Sequence, residues 1–427
     1  MTCALVSVWT SLRRLDGAGG YSAIMKHPIL TCLAALLLSL PSLPGANADP
    51  VAGALEPFVE DGQIAGAVTL VARKDQVLSL QAVGFQDLEK RTPMATDSLF
   101  WIASMTKPIT ALAVLMLHDD RRLNIEDPVE DYLPEFKGQL AVREKTEDKL
   151  VLGKPARPLT LKDLLTHTGG VTGNPRVESG ALDVLSLREA TLVYALTPLQ
   201  FEPGSRWAYS NPGINVLGRI IEVVTGEEYS KALDRLVFRP LGMRNTTFWP
   251  DKKKLEKLAL SYQAGPDGRL APVEIRYLTS PYSDKKRAPL AAGGLFSTAE
   301  DLHKLYFMMV NGGEANRRRH LSKETLALMF ENHTGDLKAG FVEGMGMGLG
   351  VQVVLRPAGV TAMLRAGTVG HGGAYGTQGW FDPASGAIHI MLIQRAGLPN
   401  GDASPMRQAF HEAAVRLLDQ TPAAPVE

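Results

Sequence analysis

Cysteine is nearly absent, with two among 427 residues, Cys3 and Cys32, both close to the N-terminus. A disulfide framework or a cysteine metal site in the body of the chain is thereby excluded. Net charge is absent too: 45 Lys and Arg balance 45 Asp and Glu, which rules out a strongly basic nucleic-acid binder. No apolar run reaches the ~20 residues that span a bilayer, so the chain is not a polytopic membrane protein. With 45% hydrophobic and 21% charged residues it is not a disordered chain either. Internal repeats, heptads and low-complexity linkers are also missing. What remains is an enzyme-sized globular chain, long enough for one large two-lobed domain or two small ones, because single cores stop growing near about 250–300 residues.

The N-terminus reads as an address. From Met25 the order is Met-Lys-His, an apolar run from Ile29 to Leu40, then Pro41, Pro44 and the small-residue triplet Ala46-Asn47-Ala48. A basic start, a short apolar stretch and an A-x-A site are the parts of a secretory signal peptide. The run is too short to span a membrane, so no stable membrane anchor is expected. Thr31 precedes Cys32 and most of the run follows it, which speaks against lipidation. Cleavage after Ala48 removes both cysteines with three basic and one acidic residue, leaving 379 residues with 42 basic and 44 acidic groups. Residues 1–48 are therefore expected to be an extension with a signal peptide at about 25–48. Synthesis is expected to start at Met25 and the product to be periplasmic or secreted.

Residues 49–427 are expected to form one domain. Gly66 to Arg73 and Gln76 to Gly84 are β-rich runs separated by Lys74-Asp75, a hairpin pattern. From Ser104 to about Asp119 the apolar spacing is helical. The middle carries helical stretches near 161–166, 185–196, 214–225 and 228–238, punctuated by Pro and Gly. Helical patterns recur at 299–310, 323–330 and 405–418, with alternating runs at 349–355, 376–381 and 387–393. Strands from both ends with helices between them predict one sheet built from the termini. The α/β lobe then takes about 49–126 and 290–427, and a helical lobe, about 127–289, is inserted beside a cleft. The short basic clusters at 252–254, 285–287 and 317–320 read as solvated surface.

Three short patterns carry possible chemistry. Ser104-Met105-Thr106-Lys107 sits where an apolar strand gives way to a helix. There the free N–H groups favour developing negative charge, and Lys107, one turn on, can lie beside the hydroxyl and take its proton. The plainer alternative is an N-cap serine and a solvated lysine. Tyr209-Ser210-Asn211 is the only Tyr-x-Asn in the chain. A tyrosine whose pKa is lowered by a neighbouring ammonium can relay a proton, and an asparagine amide can orient a carbonyl; a packed tyrosine with an Asn N-cap before Pro212 explains the same residues. Gly370-His371-Gly372-Gly373-Ala374 leads into a predicted strand, 375–381, where glycines permit close approach and a free N–H serves as an oxyanion donor. His371 could donate a hydrogen bond or carry a proton, or stand in an ordinary turn. His167-Thr168-Gly169-Gly170 closes a short helix and reads as structural. Gly344 to Gly348 reads as a strand entry, and no Gly-x-Ser-x-Gly elbow or His-Glu-x-x-His motif occurs.

Taken in order, Ser-x-x-Lys, Tyr-x-Asn and His-x-Gly resemble the motifs of the serine β-lactamase and penicillin-binding-protein superfamily. The chain looks most like the branch with class C β-lactamases, D-alanyl-D-alanine carboxypeptidases and family VIII carboxylesterases. The stretches Leu161 to Gly170, Pro240 to Met243 and Ala292 to Leu295 match that branch's wording, and the likeness runs from about Gly66 to Arg395. The resemblance implies a β-lactamase/transpeptidase-like fold of the α/β (α+β) class, an antiparallel sheet flanked by helices with an inserted all-helical lobe. It also implies that Ser104 is acylated, that Lys107 and Tyr209 share the proton work, and that Ser104 and Ala374 supply oxyanion N–H groups. Asn211, His371 and Gly373 would line the substrate, a small ester or amide. No metal, cofactor or nucleic-acid partner is implied. Where β-lactamases of the branch begin the third motif with lysine, this chain has His371, which leans toward ester hydrolysis. β-Lactamase, D-amino-acid peptidase and a non-catalytic penicillin or peptidoglycan sensor stay as alternatives. The pocket walls are expected from the helical lobe and the loops near Arg176 and Tyr282.

Overall fold

The alternating apolar runs from the two ends of the chain meet in one sheet. The computed structural model describes residues 49–173 and 180–421; the signal-peptide region and Arg176 lie outside the described residues. The first hairpin is β1 (Gly66–Arg73) and β2 (Gln76–Asp87), turning at Lys74, which takes a left-handed φ of 53°. β3 (Thr92–Pro93) continues it. From the other end come β4 (Met345–Met347), β5 (Gln352–Val354), β6 (Val369–Gly372), β7 (Gln378–Asp382) and β8 (Ala387–Ile393). The eight strands run in the order β4-β5-β6-β7-β8-β1-β2-β3, every neighbour antiparallel. The two ends of the chain join where Leu70 pairs with Ile390.

Both faces of this sheet are covered, which is why β1 and β8 read as nearly continuous apolar runs. Successive side chains of a strand point to opposite faces. Val68, Leu70 and Ala72 enter one core together with Leu302, Leu305 and Tyr306 of α3 (Ala299–Val310). Ala67 and Val71 enter the other, against Met406, Phe410 and Leu418 of α4 (Pro405–Gln420).

Two helices of the first core position the site. α1 (Thr106–Asp119) is buried over its whole circumference from Thr106 to Leu117, as an apolar helix at the centre of a domain must be. α2 (Asn211–Thr225) is amphipathic and opens with Ser210 as N-cap, whose Oγ accepts the Gly213 N–H at 2.9 Å, with Pro212 in its first turn.

The expectation of an all-helical insertion is corrected. Residues 127–289 hold helices, but also the hairpin of Ala141–Lys145 with Leu150–Gly153 and that of Ser261–Ala264 with Leu270–Val273. The second is tied back toward the sheet by a parallel pairing with Arg395–Ala396. Charged residues interrupt the alternation of the first, while the second turns at Gly265-Pro266-Asp267-Gly268, a turn signal that went unread. A second correction concerns the third motif. His371 sits inside strand β6 rather than in a turn, and the turn is Gly373 to Thr377, closed by the Gly373 N–H donating to the Thr377 carbonyl at 2.7 Å.

Candidate active site

The short strand Phe100–Trp101, paired with Phe296–Ser297, delivers the chain into a tight turn, Ala103–Met105, at the head of α1. Ala103 there has φ 46°, a left-handed conformation uncommon for a residue with a Cβ. Such strain collects at functional sites. Ser104 follows it, its side chain facing a cavity of about 460 Å³.

Lys107, one turn along α1, is fully buried. Its Nζ lies 3.1 Å from Ser104 Oγ, donates to the Ala292 carbonyl at 2.6 Å and rests 4.7 Å from the centre of the Tyr209 ring. Desolvation disfavours the ammonium, so burial holds this amine well below the ordinary lysine range. The Ala292 segment is itself fixed: its N–H donates to Asn215 Oδ1 of α2 at 3.0 Å, and Trp101 Nε1 donates to the Gly293 carbonyl at 2.7 Å.

Tyr209 donates from its hydroxyl to Ser104 Oγ at 2.7 Å. Burial pushes its phenol above the ordinary tyrosine value, which overturns the expectation of a lowered one. Asn211 begins α2 at the cavity wall; the N-cap is Ser210, not asparagine. His371 is buried on β6, 6.1 Å from the Tyr209 ring, and pushed down to about 3, first by burial and then by Lys107. Its Nδ1 lies 2.6 Å from the Gly372 carbonyl. A carbonyl only accepts, so Nδ1 carries the proton and Nε2, which has no partner, is a bare acceptor. The idea that His371 carries a proton during turnover is therefore corrected.

Gly373 lets β6 come close to the serine. A Cβ there would collide with Thr377 Oγ1 and lie 2.7 Å from the Ile102 carbonyl. Ser104 and Ala374 line the same cavity, and their N–H groups have no backbone acceptor among the described residues. Together they have the make-up of an oxyanion hole.

Two contributors escaped the motif reading. His167, taken as a helix-end residue, is buried at φ 60°, its ring 4.8 Å from that of Tyr209, and its Nδ1 accepts the Ser210 N–H at 3.2 Å. It positions the loop that carries Tyr209; the repeated His-x-Gly spelling was the available signal. The cavity walls come from Trp101, Leu182, Tyr277, Phe341 and Leu398, with Asp402 at one side. Tyr282 stands behind them, its hydroxyl accepting the Ile275 N–H at 2.8 Å, and does not line the cavity.

A nucleophile flanked by a buried amine and a phenol, beside unpaired backbone N–H groups, defines an acyl-transfer site. The comparisons agree. A family model described as Beta-lactamase matches residues 51–413, and the chain belongs to that family. Esterase EstB of Burkholderia gladioli is 32% identical over 384 residues, spanning 83% of this chain and 92% of that protein. Protein Rv1367c of Mycobacterium tuberculosis is 32% identical over 366 residues, 82% and 90% of the two chains. Among solved structures, EstCE1, a hydrolase with promiscuous acyltransferase activity, is 26% identical with a TM-score of 0.72, covering 86% of this chain and 97% of its own. The protein is a serine hydrolase related to the β-lactamases.

Proposed function

We propose that the protein is an exported carboxylesterase that hydrolyses small esters through an acyl-enzyme on Ser104. The observation that carries this reading is the Ser104 hydroxyl held between Lys107 Nζ and Tyr209 Oη, in a cavity whose third motif offers a neutral histidine. In this mechanism the neutral Lys107 amine accepts the Ser104 proton as Oγ attacks the ester carbonyl. The N–H groups of Ser104 and Ala374 hold the oxyanion. As the C–O bond breaks, Tyr209 gives its proton to the departing alkoxide and regains one from the Lys107 ammonium. Water then attacks the acyl-enzyme, its proton passing to the same amine, and the acid leaves with Ser104 restored. Asn211 positions the substrate at the mouth of α2. The likeness to EstB and EstCE1 supports ester over β-lactam as substrate.

Mature protein and its Ser104→Ala variant, assayed against a short-chain nitrophenyl ester and a chromogenic cephalosporin with intact mass recorded, test the reading. Ester turnover that disappears in Ser104→Ala is expected. Turnover surviving the substitution defeats the mechanism, cephalosporin turnover without ester turnover moves the assignment to β-lactamase, and a stable adduct without turnover moves it to a sensor. Export rests on the 25–48 pattern, and N-terminal sequencing of the extracytoplasmic product is expected to start at Asp49.

A further inference from the structure

Asp402 is the only charged side chain lining the cavity among the described residues. It is the middle residue of the short turn Gly401–Ala403 that precedes α4, and it abuts β6 so closely that a Cβ on Gly372 would run into its Oδ1. Oδ1 accepts from Gln378 Nε2 at 3.2 Å, and its side chain is 13% exposed, toward the cavity it lines. Burial raises its carboxyl above the ordinary aspartate value, opposed by the cation that lies behind it. Arg407 is completely buried, with Nη1 3.6 Å from Oδ1 and donating to the Asp402 carbonyl at 2.7 Å. Its guanidinium lies 4.3 Å over the Trp380 ring, and Nε reaches His411 at 3.3 Å. Held on three sides, it cannot turn to a ligand. Arg276 is stacked 4.5 Å over Tyr277 and does not line the cavity.

Among the described residues the substrate therefore meets a carboxylate and no cation in the cavity lining, beside the strand that flanks the candidate oxyanion site. We propose that Asp402 is a specificity-determining residue that rejects substrates bearing a carboxylate next to the reacting group, so that the site takes uncharged and cationic esters. Like charges brought together in a low-dielectric cavity repel, and like-charge juxtaposition is a common way to exclude a wrong ligand. The inference rests on Ser104 being the nucleophile, and its sign of charge deepens the ester reading by excluding anionic β-lactams and peptides with a free C-terminus.

The test reads covalent labelling of Ser104 by intact mass and so does not depend on ester turnover. Three nitrophenyl phosphonate diesters of matched size are used, with an uncharged, a carboxylate-bearing and a trimethylammonium-bearing alkyl arm. On the native protein the carboxylate reagent is expected to label at least tenfold more slowly than the uncharged one, and the ammonium reagent at least as fast. In Asp402→Asn, which keeps the shape and the Gln378 contact, the carboxylate penalty is expected to shrink to threefold or less. Equal labelling by the anionic and cationic reagents on the native protein overturns the proposal, whether or not the variant folds. An undiminished penalty in folded Asp402→Asn overturns it as well. If all three reagents label but no ester is turned over, the esterase reading fails while the charge preference stands.

Discussion

Lys107 has no charged partner to offset its burial: desolvation is the one cause acting on it. In the unfolded chain a lysine binds its proton up to pH ~10.4, whereas burial lowers that limit in the folded chain, so between the two values the unfolded state holds a proton that the folded state does not. Stability then rises with pH toward ~10.4, and the residue weakens the fold at pH 7 for the sake of a neutral base. Lys107→Met, which fills the same space without an amine, is expected to lower kcat/KM by about 10³-fold, within the usual range for a general base, and to raise Tm at pH 7. The gain in Tm is expected to shrink at pH 9.5, and a loss of Tm at pH 7 contradicts the neutral-amine assignment. Tyr209→Phe removes the hydrogen bond to Ser104 while leaving the amine in place. There kcat is expected to fall about 10²-fold, with the acid limb of the pH–rate profile unmoved, because Lys107 sets that limb. Because the active form is the unprotonated amine, activity is lost as pH falls through the lowered Lys107 value.

At the scale of elements, the turn after β6 decides whether the oxyanion N–H groups sit beside the serine. Gly373→Ala places a methyl against the Ile102 carbonyl, a backbone group that cannot swing aside, so β6 and the turn at Ala103 must separate. Loss of one oxyanion donor typically costs about 10²–10³ in kcat. Gly373→Ala is expected to lose that much kcat while KM and the far-ultraviolet spectrum stay near native. A wild-type kcat removes Gly373 and Ala374 from the site. The legible elements were those whose burial pattern is regular. β1, β8 and α1 announce themselves as apolar runs because they are buried on every side, and α4 by helical spacing because one partner surface dictates it. β6 was not anticipated as a strand of its own because its residues, Val-Gly-His-Gly, carry two glycines and little strand preference. Ser104, Lys107 and Tyr209, which the structure brings together, were each singled out from local motifs. The protonation states of Tyr209 and His371 were not legible there, since they depend on burial supplied by Ala292, Phe341 and His167, which are remote in the sequence.

For the whole molecule, buried neutral imidazoles set the pH range of the fold. His167, His371, His389 and His411 are all buried, one pair in the site and the other between the sheet and α4. Burial is the main cause that depresses each, with His371 at about 3 and His389 at about 4. A histidine in the unfolded chain titrates near 6.5, so below that pH the unfolded state binds protons that the folded state refuses. The native stability is whole above ~6.5 and is lost as pH falls toward the folded values, at up to about 1.4 kcal/mol per pH unit for each histidine. Four such groups reach the ~5–15 kcal/mol of a typical domain within two or three pH units. Asp87 and Asp119, whose values are lowered, add losses in the same direction below their unfolded values. At the alkaline end the raised phenols of Tyr209, Tyr229 and Tyr306 act oppositely, their stability being lost as pH climbs past ~10. Thermal melts at constant ionic strength are therefore expected to fall steeply below pH 6 and to rise only gently between about pH 7 and 9, where Lys107 alone of these groups still contributes a slope. His389→Leu, between β8 and α4, is expected to flatten the acid slope with kcat at pH 8 retained, because it touches no cavity residue. A Tm that is level from pH 7 to 5 in the native protein is incompatible with four imidazoles kept neutral by burial.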